Sequence, residues 1–166
     1  MTFRAIALSV GLFLTASACA PPGLESYKPK DQEEAFIVSS LMRIPNGIKA
    51  RSVEIIMQPY ADDVYVANFM NYIGVAGPTA PLSLSKGDLR AAYIELFRAS
   101  KDITMNVKDL RLSVSGSRAT AEARTELQLR VEAARREERR QTFVNDVVWR
   151  MQRTGGGWKI VEEIWR

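Results

Sequence analysis

The side chains that could do chemistry in this sequence are few and lie far apart along the chain. Asp62 and Asp63 are adjacent carboxylates, which suits acid–base work or cation binding, but such a pair also commonly ends a helix and begins a strand. There is no histidine, and Cys19 is the only cysteine. This composition excludes an Asp–His pair, most metal sites and an intrachain disulfide. We predict no catalytic residue, no metal and no cofactor.

A second set of candidates comes from the alternation of side chains in the last third of the chain. Asn145 has the same parity as the apolar residues Val147 and Trp149, and Glu162 has the parity of Ile160. A polar group on an apolar concave face must be paired or must serve a ligand. We therefore predict that Asn145 and Glu162 share one pocket. The alternative is that both lie near the mouth of the fold or at a bulge and are solvated. The other residues predicted to line this pocket are Tyr60, Asn68, Tyr93 and Trp149.

Four antiparallel strands are predicted between residues 103 and 165, and they must position these candidates. From Ala119 to Val131 the odd positions are small or apolar, apart from Thr125, and the even positions are polar. This period of two indicates a strand with one buried face. The hydrophobic phase changes after Val107, which predicts a β-bulge near Lys108–Asp109. A bulge curves the sheet, so helices must pack on its concave face.

Three helices before these strands are predicted to supply that cover. The first should run over Gln32–Arg43 and stop at Pro45–Gly47, and the second should lie within Val53–Tyr60. A first strand follows over residues 61–66. Ser85 with Asp88 forms a capping box that opens the third helix.

The opening residues are typical of a targeting sequence. Arg4 precedes an apolar run, Ala5–Ala18, that is too short to span a bilayer. The small residues before Cys19 resemble the lipobox of bacterial lipoproteins. This resemblance implies cleavage before Cys19 and lipids on its thiol and new amino group, and Ala20 implies the outer membrane, facing the periplasm, in a Gram-negative host. The alternative is a plain secretory signal followed by an incidental cysteine.

The chain is accordingly divided into a signal peptide (1–18), a lipidated cysteine with a flexible proline-rich tether (19–30) and one domain (31–166). After cleavage the chain has 22 Lys and Arg residues and 19 Asp and Glu residues, which gives a net charge of +3. So mild an excess, without an aromatic–basic stacking motif, argues against nucleic acid as a partner. The arginine-rich stretch 132–141 could touch phosphate groups or a protein, but the alternative is a solvated charged face.

The order of elements resembles the NTF2-like superfamily, also described as SnoaL-like or as a cystatin-like cone. The residues that carry this resemblance are Tyr60–Val66, the Ser85–Phe97 helix and Gly157–Val161, and it extends over about 31–165. It implies an α+β fold in which three N-terminal helices pack on a curved antiparallel sheet. Because that superfamily contains enzymes and non-enzymes, the fold does not decide the function.

The ketosteroid isomerase pattern within that superfamily is poorly matched. The position of its general base falls on Asn68, which cannot accept the proton, and the position of its tyrosine falls near Ile44. Its protonated acid falls near Val147, beside Asp146. These departures argue against isomerase chemistry.

Three functions remain open. The first is a membrane-anchored envelope lipoprotein whose domain acts without catalysis in protein interaction or assembly, with an envelope partner or as a homodimer through the outer sheet face. The second is a small-molecule binder that uses the cone. The third is an isomerase or hydrolase, for which Glu162 is the candidate buried acid. We favour the first.

Overall fold

A computed structural model describes residues 21–73, 81–132 and 138–166. The helical elements in these ranges are a 3₁₀ turn at Leu24–Ser26, α1 (Gln32–Ala50), α2 (Val53–Met57), α3 (Phe69–Tyr72) and α4 (Lys86–Ala99). The strands are β1 (Tyr60–Ala67), β2 (Ser83–Leu84), β3 (Ser100–Ser115), β4 (Arg118–Glu132), β5 (Glu138–Thr154) and β6 (Gly157–Trp165). The predicted signal peptide and Cys19 lie outside the described residues, as does much of the arginine-rich stretch.

The strands form one sheet in the order β2-β1-β6-β5-β4-β3. The helices cover its concave face, so the predicted α+β class and layer arrangement are confirmed. One pairing differs from the predicted antiparallel sheet, because β1 runs parallel to β6. The four long strands β3 to β6 are antiparallel, as expected.

The alternation predicted for β4 is present. Thr125, the single polar residue of the inward row, is fully buried and donates its hydroxyl to the carbonyl oxygen of Asn145 at 3.2 Å. The predicted bulge in β3 is also confirmed, because the register shifts between Lys108 and Arg111 and Asp109 has a φ of 54°. The bulge bends β3 around the core.

Helix α1 is longer than predicted. The expected stop at Pro45–Gly47 is wrong, since the helix continues to Ala50 and ends at Arg51, whose left-handed φ of 53° forms the C-cap. Burial explains why Pro45 and Gly47 do not end the helix. Ile44 and Ile48, one on each side of Pro45, are only 2 % and 1 % exposed. Tertiary packing of this face outweighs the hydrogen bond that proline removes.

The segment predicted as a flexible tether packs against the domain where the structure describes it. Leu24 is 2 % exposed, and the backbone N–H of Leu110 donates to the carbonyl of Pro22 at 2.8 Å. Tyr27 donates its hydroxyl to Glu34, a buried carboxylate of α1, at 3.1 Å. The bulge in β3 leaves the Leu110 N–H without a strand partner, and the incoming chain accepts its hydrogen bond.

Within the described ranges, no helix combines the length and the apolarity needed to cross a membrane.

Candidate functional site

The candidate site is centred on Glu163, and a bulge in β6 turns this residue inward. Arg150 pairs with Glu162, and the next residue of β5, Met151, pairs with Ile160. Val161 is therefore an extra residue in β6, which reverses the alternation of the residues that follow. As a result, Glu163 and Trp165 point into the core at 1 % and 2 % exposure.

Three neutral donors hold the Glu163 carboxyl group. The hydroxyl of Tyr60 donates to Oε2 at 2.6 Å, and the indole Nε1–H of Trp149 donates to the same oxygen at 2.8 Å. The indole Nε1–H of Trp165 donates to Oε1 at 2.5 Å. Because an indole can only donate, both tryptophans depend on this carboxyl group as their acceptor. We call these four residues the Glu163 network.

Burial sets the acid–base properties of this network. It raises the pKa of Glu163, although the hydrogen bonds from Tyr60, Trp165 and Trp149 act in the opposite direction by favouring the ionised form. The pKa of Tyr60 lies well above its usual range, first because the phenol is buried and then because it faces Glu163. Tyr60 therefore keeps its proton at neutral pH and remains a donor. The nearby phenol of Tyr93 also has a pKa raised by burial and by Glu163.

Aromatic side chains fill the space beside the network. The Phe69 ring lies 5.1 Å from the ring of Tyr93 and 5.4 Å from that of Trp165, the second pair edge to face. Phe69, Tyr93 and Trp165 are each at most 2 % exposed. The acid at the centre of the cone is thus enclosed by the chain's own side chains, in an arrangement that satisfies it and excludes water.

The structure brings together three of the residues predicted to line a pocket, because Tyr60, Tyr93 and Trp149 all lie at or beside Glu163. Asn68 is adjacent: it caps α3 with a left-handed φ of 63°, and its side-chain amide donates to the carbonyl of Trp165 at 3.3 Å. These contacts satisfy the chain's own polar groups.

The remaining two predicted residues do not meet. Asn145 is half-buried and donates its amide to the carbonyl of Tyr72 at 2.9 Å. Glu162 lies on the outer face of the sheet, where it forms an ion pair with Arg150. The prediction that Asn145 and Glu162 share one pocket is therefore wrong, and the buried acid is Glu163. The bulge at Val161 caused the error, and the large apolar Trp165 on the opposite parity from Trp158 was the signal that could have revealed it.

The paired carboxylates lie within β1, and Asp62 has an ion-pair partner. Asp62 is exposed and contacts the ammonium group of Lys86 at 2.8 Å. This contact lowers the pKa of Asp62, so it is ionised at neutral pH. An exposed, ionised carboxylate beside a lysine is a poor acid–base catalyst. The pair does not end a helix and begin a strand, however, because α2 stops at Met57 and β1 already starts at Tyr60.

Comparison with known proteins identifies the fold. No protein-family model and no curated protein matches the chain. Among solved structures, an NTF2-like protein of unknown function from Pseudomonas putida is 18% identical with a TM-score of 0.61, over 79% of this chain and 83% of that one. A ketosteroid isomerase-like protein from Erwinia carotovora atroseptica is 16% identical with a TM-score of 0.60, over 81% and 95%. A cystatin-like protein of unknown function from Nostoc punctiforme is 13% identical with a TM-score of 0.61, over 84% and 93%.

The chain therefore has the NTF2-like fold, as the resemblance implies. Identities this low establish the fold alone, and the chemistry of each neighbour stays with that neighbour.

The raised pKa of Glu163 predicts a pH-dependent stability. The unfolded chain titrates near the ordinary value of 4.5, whereas the folded group titrates higher. As the pH rises above the unfolded value, the unfolded state loses its proton first, so Glu163 lowers the free energy of unfolding progressively until the pH passes the folded pKa. Because Glu163→Gln removes this titration, the stability lost through that substitution should shrink between pH 4 and pH 8. Urea unfolding of the wild-type and Glu163→Gln proteins at several pH values measures this loss of stability. A loss that is constant or grows with pH would contradict the prediction.

Proposed function

We propose that this chain is a lipid-anchored envelope protein whose NTF2-like domain acts without catalysis, in protein interaction or assembly. The observation that carries the proposal is the closed interior. The Glu163 carboxyl group accepts hydrogen bonds from three of the chain's own side chains, and Phe69 and Tyr93 fill the adjoining space. An acid that serves a substrate needs a face open to it, so we place the function on the outer surface.

The outer face of the sheet carries an exposed aromatic side chain that suits a contact with a protein partner. Tyr65 of β1 lies beside Glu162 on this face and is 50 % exposed. Leu82, which precedes the two-residue edge strand β2, is 69 % exposed. Exposed tyrosine and leucine side chains next to a sheet edge suit a protein partner, because aromatic anchors are enriched in interfaces and a sheet edge offers unpaired backbone groups.

Site-specific photocrosslinking in intact cells tests the proposal. A photoreactive phenylalanine analogue replaces Tyr65, and in a matched control it replaces Phe36, an aromatic residue of α1 with a similar exposure of 53 %. We expect a discrete crosslinked species from position 65 alone. A species at twice the monomer mass identifies a homodimer, and any other discrete mass identifies an envelope partner. No species from position 65, or equal crosslinking from both positions, would contradict the proposal.

The anchor has its own test. Cys19→Ser should remain unlipidated and move from the membrane fraction to the soluble fraction, because the acyl chains supply the membrane affinity, roughly 0.8 kcal/mol for each buried methylene. A Cys19→Ser protein that is still processed and still partitions with membranes would refute lipidation at this residue.

A second candidate function is an acid–base enzyme that uses Glu163, favoured by the raised pKa of this acid and by the adjacent Tyr60 hydroxyl. It requires the aromatic enclosure to open. Native mass spectrometry of residues 20–166 separates this candidate, and the small-molecule binder, from the interaction protein. A bound mass that disappears on denaturation would favour a ligand in the cone, whereas an empty chain favours the proposal made here.

A further inference from the structure

The chain enters the domain at an edge of the sheet, at the bulge in the edge strand β3. The Pro22 carbonyl accepts a hydrogen bond from the Leu110 N–H at 2.8 Å, and Leu24 is buried in the core. The position of Gly23 is close-packed as well, since a Cβ atom there would approach the carbonyl oxygen of Val107 to 2.9 Å. From Pro22 onward the chain is therefore fixed to the sheet.

A shallow hollow of about 450 Å³ lies where the chain enters, and Pro21 forms part of its wall. Charged groups of both signs surround Pro21 there. The cationic side chains are Arg111, Arg124 and Arg166, and the acidic side chains are Asp109, Glu122 and Asp146. We call this set the entry patch. Arg124 is paired with Asp146 at 3.2 Å, whereas the exposed Arg111 has no ion-pair partner within residues 21–73, 81–132 and 138–166.

The lipid anchor proposed at Cys19 has very little reach from this patch. Only Ala20 separates Cys19 from Pro21. Two residue steps of extended chain span at most about 7 Å. Since acyl chains on Cys19 insert into the hydrocarbon layer, the backbone of Cys19 must lie at the level of the lipid headgroups. Because Pro21 lies within about 7 Å of that backbone, the surface around Pro21 must lie close to the membrane.

We propose that the entry patch rests on the phosphate headgroups of the bilayer that holds the Cys19 acyl chains. This inference rests on the proposed lipid anchor. Arginine guanidinium groups bind phosphate oxygens through paired, charge-assisted hydrogen bonds, and Arg111 is available for such a contact. The acidic members of the patch suit the ammonium group of a zwitterionic headgroup.

Fluorescence quenching by spin-labelled lipid tests this orientation in the full lipidated protein. Because acylation blocks Cys19, an introduced cysteine is the only free thiol. Glu122→Cys places a fluorophore in the entry patch, and Glu95→Cys places it on the exposed side of α4, on the other side of the sheet. In vesicles of phosphatidylethanolamine and phosphatidylglycerol that contain a headgroup nitroxide lipid, we expect several-fold stronger quenching at position 122. Equal quenching, or stronger quenching at position 95, would overturn the inference.

The number of labels per chain separates the two possible failures. One label shows that Cys19 is acylated, so that a wrong quenching pattern then refutes the orientation alone. Two labels show that Cys19 is free, which overturns both the anchor and the orientation. As a further control, a flexible Gly–Ser insertion between Ala20 and Pro21 should reduce the difference in quenching, because the domain can then rotate. An undiminished difference would show that the short reach does not set the orientation.

Discussion

Glu163→Leu is expected to lower the free energy of unfolding by about 3–5 kcal/mol, because it removes the acceptor on which three buried donors depend. Leucine fills a similar volume, so the loss arises mainly from the unpaired Tyr60 hydroxyl and the two indole N–H groups. Part of it is offset because a buried carboxyl group no longer has to be desolvated. Urea unfolding of residues 20–166 at pH 7 measures the change.

Two further variants make this prediction specific. Glu163→Gln keeps one acceptor oxygen but turns an NH₂ group toward a donor, so it should lose less, about 1–2 kcal/mol. Glu162→Gln is the matched control in the adjacent residue, and it should change stability by less than about 0.5 kcal/mol because its ion pair with Arg150 is on the surface. If Glu163→Leu does not fold, the Gln variant still gives the comparison. Equal effects at positions 162 and 163 would refute the network.

Gly47→Ala should destabilise the domain by about 1–3 kcal/mol, although alanine is the better helix former. A Cβ atom at Gly47 would lie 2.5 Å from Cγ1 and 2.9 Å from the backbone nitrogen of Ile56, at the junction of α1 and α2. The Ile56 side chain is fully buried, and backbone cannot move aside cheaply, so the two helices must separate. Thermal and urea unfolding both report this change.

Gly87→Ala is the control within the same fold. Its Cβ atom in α4 would meet only the Ser85 hydroxyl, at 3.8 Å. Here the intrinsic preference for alanine is unopposed, so the domain should gain about 0.5–1 kcal/mol. If Gly47→Ala and Gly87→Ala both raised the free energy of unfolding, then helix propensity, and not close packing, would decide the role of Gly47.

The sequence predicted the long strands well because local alternation determines which face of a strand is buried. The bulge at Asp109 and the burial of Thr125 follow from the same pattern. The errors occurred where a distant contact overrides a local signal. Packing carries α1 through Pro45, and the extra residue Val161 exchanges the roles of Glu162 and Glu163. A one-residue bulge near a chain end is almost invisible to periodicity, because few residues follow it.

The candidate site was partly predictable for the same reason. Tyr60, Tyr93 and Trp149 are large side chains on apolar faces, and their positions near one another follow from the fold. The acceptor that unites them could not be identified from spacing, since its direction depends on the register between β5 and β6. Likewise, the docking of Pro22 on Leu110 depends on a backbone group that only the bulge makes available.

The parallel pairing of β1 with β6 also determines when this domain can finish folding. The hydrogen bond from Tyr60 to Glu163 joins residues separated by 103 positions, and the register pairs Ala67 with Ile164. Contacts this distant in sequence require closure of a long loop, which slows folding relative to helical domains. Until the last strand has formed, β1 lacks its long neighbour and exposes an edge. The native interior is therefore completed only when β6 pairs with β1, and early folding is confined to local units such as the β3–β4 hairpin.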